Sequence, residues 1–127
     1  MTPSSKRTPT ANREPGAATA KLSVVAVVKT TRTPGAVSAR EEADAVFRNE
    51  GCSAPSQWGN GPGDTYGWHS HVYHKVLFCL DGSITFHTRQ DGDVELRPGD
   101  RLDIEAGTEH AATVGSDGVS CVEAAKA

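Results

Sequence analysis

Five two-residue turn signals divide the second half of the chain into short, evenly spaced runs: Asp81-Gly82, Asp91-Gly92, Pro98-Gly99, Ala106-Gly107 and Asp117-Gly118. Around them lie KVLFCL (75–80), SITFHT (83–88), DVELR (93–97), DRLDI (100–104) and GVSCVEA (118–124). Each run has the length of a strand, and each glycine supplies the positive φ that a tight turn requires. A helix needs roughly ten uninterrupted residues, and this half offers none. Five strands at such spacing predict an all-β sandwich or barrel.

Upstream the punctuation changes. Residues 1–20, MTPSSKRTPTANREPGAATA, are poor in large apolar side chains and carry Pro3, Pro9 and Pro15. Such a segment is expected to be a disordered tail, and its prolines break the amphipathic helix a mitochondrial transit peptide needs. KLSVVAVVKT (21–30) reads as a first strand. In PGAVSAREEADAVFRNEG the apolar Ala39, Ala43, Val46 and Phe47 fall at helical spacing, with Ser38 and Glu41 in the form of a capping box and Gly51 as the stop. This is the one expected helix. The division is therefore a tail at 1–20, a strand-and-helix extension at 21–52 and a β domain at 53–125.

Charge narrows the partners. The net charge is -3, and residues 41–127 carry six Lys/Arg against fifteen Asp/Glu. An acidic body without a basic stripe argues against nucleic acid. The apolar run LSVVAVV is far shorter than a membrane span, so no membrane partner is expected. Cys52, Cys79 and Cys121 are odd in number and lack CxxC spacing, which points to a reducing, cytoplasmic setting.

The chemistry concentrates in GWHSHVYHKVLFCLDG (67–82). In a strand, residues i and i+2 share a face, so His69 and His71 can aim at one point about 2 Å from each imidazole nitrogen. An isolated pair of this kind is common on surface strands. Two longer patterns lift it out of that class. Gly63, His69, His71, position 75 and Gly82 fall at the spacing of the first motif of the cupin superfamily, and Gly99, Glu105, Gly107 and His110 at that of the second. The chain resembles a single-domain cupin over roughly residues 55–124. Glu105 stands where the family usually has Pro, Val114 where it often has Asn, and Lys75 where a glutamate ligand is ordinary.

The resemblance implies an all-β, cupin-type jelly-roll or double-stranded β-helix barrel, here with one N-terminal helix. It also implies a divalent metal (iron, manganese, nickel or zinc) held by His69, His71 and His110. The activities it admits are a metal-dependent oxygenase, above all an iron dioxygenase acting on a small molecule, or an isomerase. A homodimer is common in the family. The rival class is a metal-free, non-catalytic cupin that binds a small anion or sugar.

Lys75 keeps three alternatives open. An ammonium has no lone pair and repels a cation, so it is not a ligand by default. In the first alternative the three histidines suffice and Lys75 turns to solvent or pairs with an acid such as Asp64 or Glu109, which resembles the three-histidine iron sites of cupin-type thiol and diketone dioxygenases. In the second, His74 replaces the missing ligand from the VYH turn. In the third no metal binds, and Lys75 holds an anion or serves as an acid or base. Tyr66, Trp68 and Lys75 are the expected pocket residues, with Trp58 a further candidate for lid or core packing. His87 is expected to be hydrogen-bonded, and Cys79 and Cys121 to be small buried hydrophobes.

Overall fold

The computed structural model describes residues 29–126. Its elements are β1 (Thr30–Thr33), α1 (Arg40–Asn49), β2 (Ser56–Asn60), β3 (Thr65–His69), β4 (His74–Thr88), β5 (Gly92–Leu96), β6 (Arg101–Ile104) and β7 (His110–Lys126). The tail at 1–20 and most of the first expected strand, 21–28, lie outside the described residues. The strand that follows them begins at Thr30.

Two long antiparallel strands form the spine. β4 and β7 pair from His74 opposite Lys126 to Thr88 opposite His110. Each changes its outer neighbour midway. The first half of β4 carries β6, with β1 beyond it, and the second half carries β5. The first half of β7 carries β3, and its second half carries β2. An all-β barrel results, closed around an apolar core of Leu77, Cys79, Ile84, Phe86, Leu96, Leu102, Ile104 and Cys121 among others.

Two of the five turn signals are not turns. Asp81-Gly82 and Asp117-Gly118 lie inside β4 and β7, at a point where the register between the strands shifts. Gly82 and Gly118 have φ of 73° and 77°, and a Cβ on Gly82 would stand 2.0 Å from the Gly118 carbonyl oxygen. The glycines thus let two strands bend while their backbones touch, a bulge device rather than a hairpin. Two strands, β2 and β3, arise from SAPSQWGNGPGDTYG, where the density of Gly, Pro, Asn and Asp hides them.

The start of β4 is buried on both faces. Leu77 and Cys79 point into the barrel, whereas Val76 and Phe78 face outward and join Val122 and Ala124 under the helix. That dual burial explains why VLFC is apolar without alternation. α1 presents Ala43 and Phe47 to this outer patch, the Phe47 ring meeting Phe78 edge-on at 5.3 Å between centroids. The expected helix is present, but its cap differs. Ala39 is the N-cap, and the Ser38 amide and hydroxyl both donate to Glu42, at 2.8 and 2.9 Å, in place of a box with Glu41. At the far end Glu50 receives two hydrogen bonds from Arg101, at 2.7 and 2.8 Å, which tie the helix to β6.

Candidate metal centre

Two segments distant in sequence converge at one mouth of the barrel. His69 closes β3, His110 opens β7 directly opposite it, and His71 lies just past the end of β3. The expected shared strand for His69 and His71 therefore holds only for the first. His71 is placed instead by its carbonyl, which accepts a hydrogen bond from the Gly107 amide at 2.7 Å. The EAGTEH loop of the second sequence pattern thus positions a histidine of the first as well as its own.

The rings face one another, with centroids 4.9 Å apart for His69 and His71, 4.3 Å for His69 and His110, and 5.3 Å for His71 and His110. One nitrogen from each can be chosen so that all lie within 4.8 Å of one another. Outer hydrogen bonds set the tautomers of two of them. The Nδ1–H of His69 donates to the Gly67 carbonyl at 2.7 Å, and that of His110 to the Thr108 carbonyl at 2.9 Å. A carbonyl only accepts, so in each neutral ring the lone pair sits on Nε2.

Among the described residues, the Nε2 atoms of His71 and His110 are buried and without a hydrogen-bond partner. Burial, and after it the nearby Lys75 charge, pushes His71 down to about 4. Burial likewise lowers His110, against a smaller upward effect of the Thr108 carbonyl. These two imidazoles are accordingly neutral near pH 7. Neutral rings with orphaned nitrogens pointing together are the donor set a borderline divalent ion takes. Among the described residues, no carboxylate joins the cluster.

Beside the histidines opens a cavity of about 270 Å³, lined by Trp58, Tyr66, Lys75, Phe86, Ala112 and Glu123 as well as the three rings. Of the expected pocket residues, Tyr66 and Lys75 line it, while Trp68 lies outside and stacks under the Arg89 guanidinium at 3.9 Å. The Tyr66 hydroxyl donates to the Asn60 side chain. His74 turns away to Asp103, at 3.2 Å. His87 bonds Asp93 at 2.8 Å and Thr113 at 2.9 Å, as a hydrogen-bonded histidine should.

Lys75 neither swings to solvent nor meets Asp64 or Glu109. Asp64 accepts from the Gly61 amide and Glu109 pairs with Arg89. The Lys75 ammonium instead lies 3.3 Å from Glu123 Oε1, which also accepts the Trp58 indole N–H at 2.7 Å. Glu123 escaped the sequence reading. Its signal was there: in GVSCVEA it shares a face with Val119 and Cys121, both core residues, so a charge sits on an apolar face of β7.

The cupin domain family matches residues 60–122. A chain from the crystal structures of the DMSP lyases RdDddP and RnDddQII aligns at 30% identity and a TM-score of 0.51, over 57% of this chain and 36% of its own. Acireductone dioxygenase from Bacillus anthracis, with a cadmium ion in its active centre, aligns at 21% identity and a TM-score of 0.54, over 68% of this chain and 58% of its own. The coconut allergen cocosin aligns at 19% identity and a TM-score of 0.53, over 57% of this chain and 21% of its own. These last two likenesses concern the fold, and in all three the chain spans less than two thirds of the relative's length. No curated protein matches the chain. Barrel, paired motifs and family match lead to one conclusion: the chain belongs to the cupin superfamily.

Proposed function

We propose that the protein binds a divalent metal ion through His69, His71 and His110 and acts on a small molecule in the adjoining cavity. The observation that carries this reading is the pair of buried, unpartnered Nε2 atoms on His71 and His110, aimed at the same place as His69. A buried polar atom without a partner is costly, and a shared cation relieves two at once. When bound, the metal supplies Lewis acidity and, if it is iron, redox capacity. The chain's own residues orient the ligand. Phe86 and Ala112 exclude water on one side, while Lys75 holds a proton at Nζ beside it.

An iron-dependent dioxygenase is the best enzyme class for three protein donors with no carboxylate, because several coordination positions stay open. It draws further support from the likeness to acireductone dioxygenase. The DMSP lyase likeness keeps a metal-dependent lyase beside it. Residues 53–125 carry the proposed ligands, with the helix packed against the outer side of the barrel and the preceding strand β1 paired with β6.

Metal content after purification without chelators tests the reading. About one equivalent should be bound in the wild type and lost in His69→Ala and His110→Ala. Failure of the wild type to take up iron(II), zinc or cobalt(II) above background would refute it.

A further inference from the structure

Glu123 and Lys75 stand side by side on the cavity wall, 3.3 Å apart. The ion pair is largely buried: the side chains are 10% exposed for Lys75 and 21% for Glu123. A pair this deep is weak as a stabilising device, since desolvation offsets most of the attraction and an apolar pair of similar size serves as well. Its position on the cavity wall is therefore the informative fact. Glu123 Oε1 is occupied twice, by the Trp58 indole N–H and by Lys75. Among the described residues, Glu123 Oε2 has no partner, and two of the three Lys75 N–H groups have none. Trp58 locks the carboxylate in this attitude. What remains open is a donor and an acceptor side by side.

Such a pair selects by hydrogen bonding rather than by charge. A ligand carboxylate at Lys75 would meet the Glu123 charge, and a ligand ammonium at Glu123 would meet Lys75. A hydroxyl suits both, accepting from Nζ and donating to Oε2. The histidine cluster in the same cavity has the opposite character. Three histidine ligands leave the two positive charges of a divalent ion uncompensated, because among the described residues no carboxylate joins the cluster. Resting on the metal-binding reading above, we propose that the site takes a short hydroxylated carboxylate, with its anionic group at the metal and its hydroxyl between Lys75 and Glu123. Glu123 and Lys75 are then binding and positioning residues that set specificity.

Zinc-loaded protein titrated calorimetrically with propionate and with 3-hydroxypropionate gives the test. The two probes share one anionic group and differ by one hydroxyl. In the wild type the hydroxylated acid should bind about tenfold more tightly, the worth of a hydrogen bond to a charged group. Glu123→Gln keeps the shape but replaces the open acceptor with a donor, and the preference should fall below about twofold with zinc content unchanged. Lys75→Met/Glu123→Gln, whose amide oxygen still accepts the Trp58 indole N–H, should do the same without loss of thermal stability, which separates recognition from a structural role. Equal binding of both acids by the zinc-loaded wild type, or a preference that survives in both variants, overturns the inference while the metal reading stands. Absence of zinc uptake removes the metal reading, and this inference falls with it.

Discussion

Burial holds the His71 imidazole down to about 4, whereas an unfolded histidine titrates near 6.5. Between those values the unfolded chain binds the proton that the folded one refuses. Stability of the metal-free protein should then fall as pH drops from about 6.5 toward 4, by on the order of 1 to 3 kcal/mol, and should not change from this source above 7. Urea titrations at pH 5 and pH 7, with and without His71→Gln, check it: the loss should shrink in the variant. Lys75, His110 and His69 push in the same downward direction, and Glu123 against it. At this scale the sequence was informative about type and silent about partner. The three histidines were legible through the resemblance to the two cupin motifs, whereas strand periodicity alone accounts for neither His110 nor His71, which lies past the end of β3. The Lys75–Glu123 pair was not, because it depends on which strand lies across from β4 and in what register.

At the scale of elements, α1 is held by one apolar stripe and one charged clamp. Glu50 is pushed down to about 2, chiefly by its hydrogen bonds from Arg101. Arg101 also bonds Asp103 at 2.6 Å and is only 14% exposed. Removing it takes the guanidinium from two half-buried carboxylates and leaves Glu50 with Lys126 and Asp103 with His74. Arg101→Met should lower stability by roughly 1 to 3 kcal/mol and the melting temperature by roughly 4 °C or more. A calorimetric scan that leaves the melting temperature unmoved would show that the helix is held by Phe47 and Ala43 alone. The helix itself was legible from its 3.6-residue stripe. Its cap was misread because Ser38 reaches Glu42, one residue beyond the box pattern, a choice made by local backbone geometry.

For the whole molecule, the turn signals gave the fold class and miscounted the strands. Asp91-Gly92, Pro98-Gly99 and Ala106-Gly107 do mark strand ends, but Gly82 and Gly118 mark the place where β4 and β7 bend over each other. A positive φ is the same local event in both cases. What distinguishes a hairpin from a bulge is the partner backbone, and Gly118 is a long-range neighbour of Gly82 that no local window contains. The opposite error hid β2 and β3, whose glycines and prolines lie between strands that, among the described residues, pair with the distant β7.

β7 opens with His110, carries Glu123 near its end and pairs with β4 along the way. The donor cluster and the cavity wall are therefore products of long-range strand pairing, not of a local loop. Such pairings form late and slowly, because chain-closure entropy precedes their reward. A metal ion that recognises only the finished cluster lowers the energy of the native state and leaves the transition state nearly untouched. Stopped-flow traces with and without zinc should show refolding at the same rate and unfolding slowed at least tenfold, so that the ion acts as a brake on opening rather than a guide to assembly.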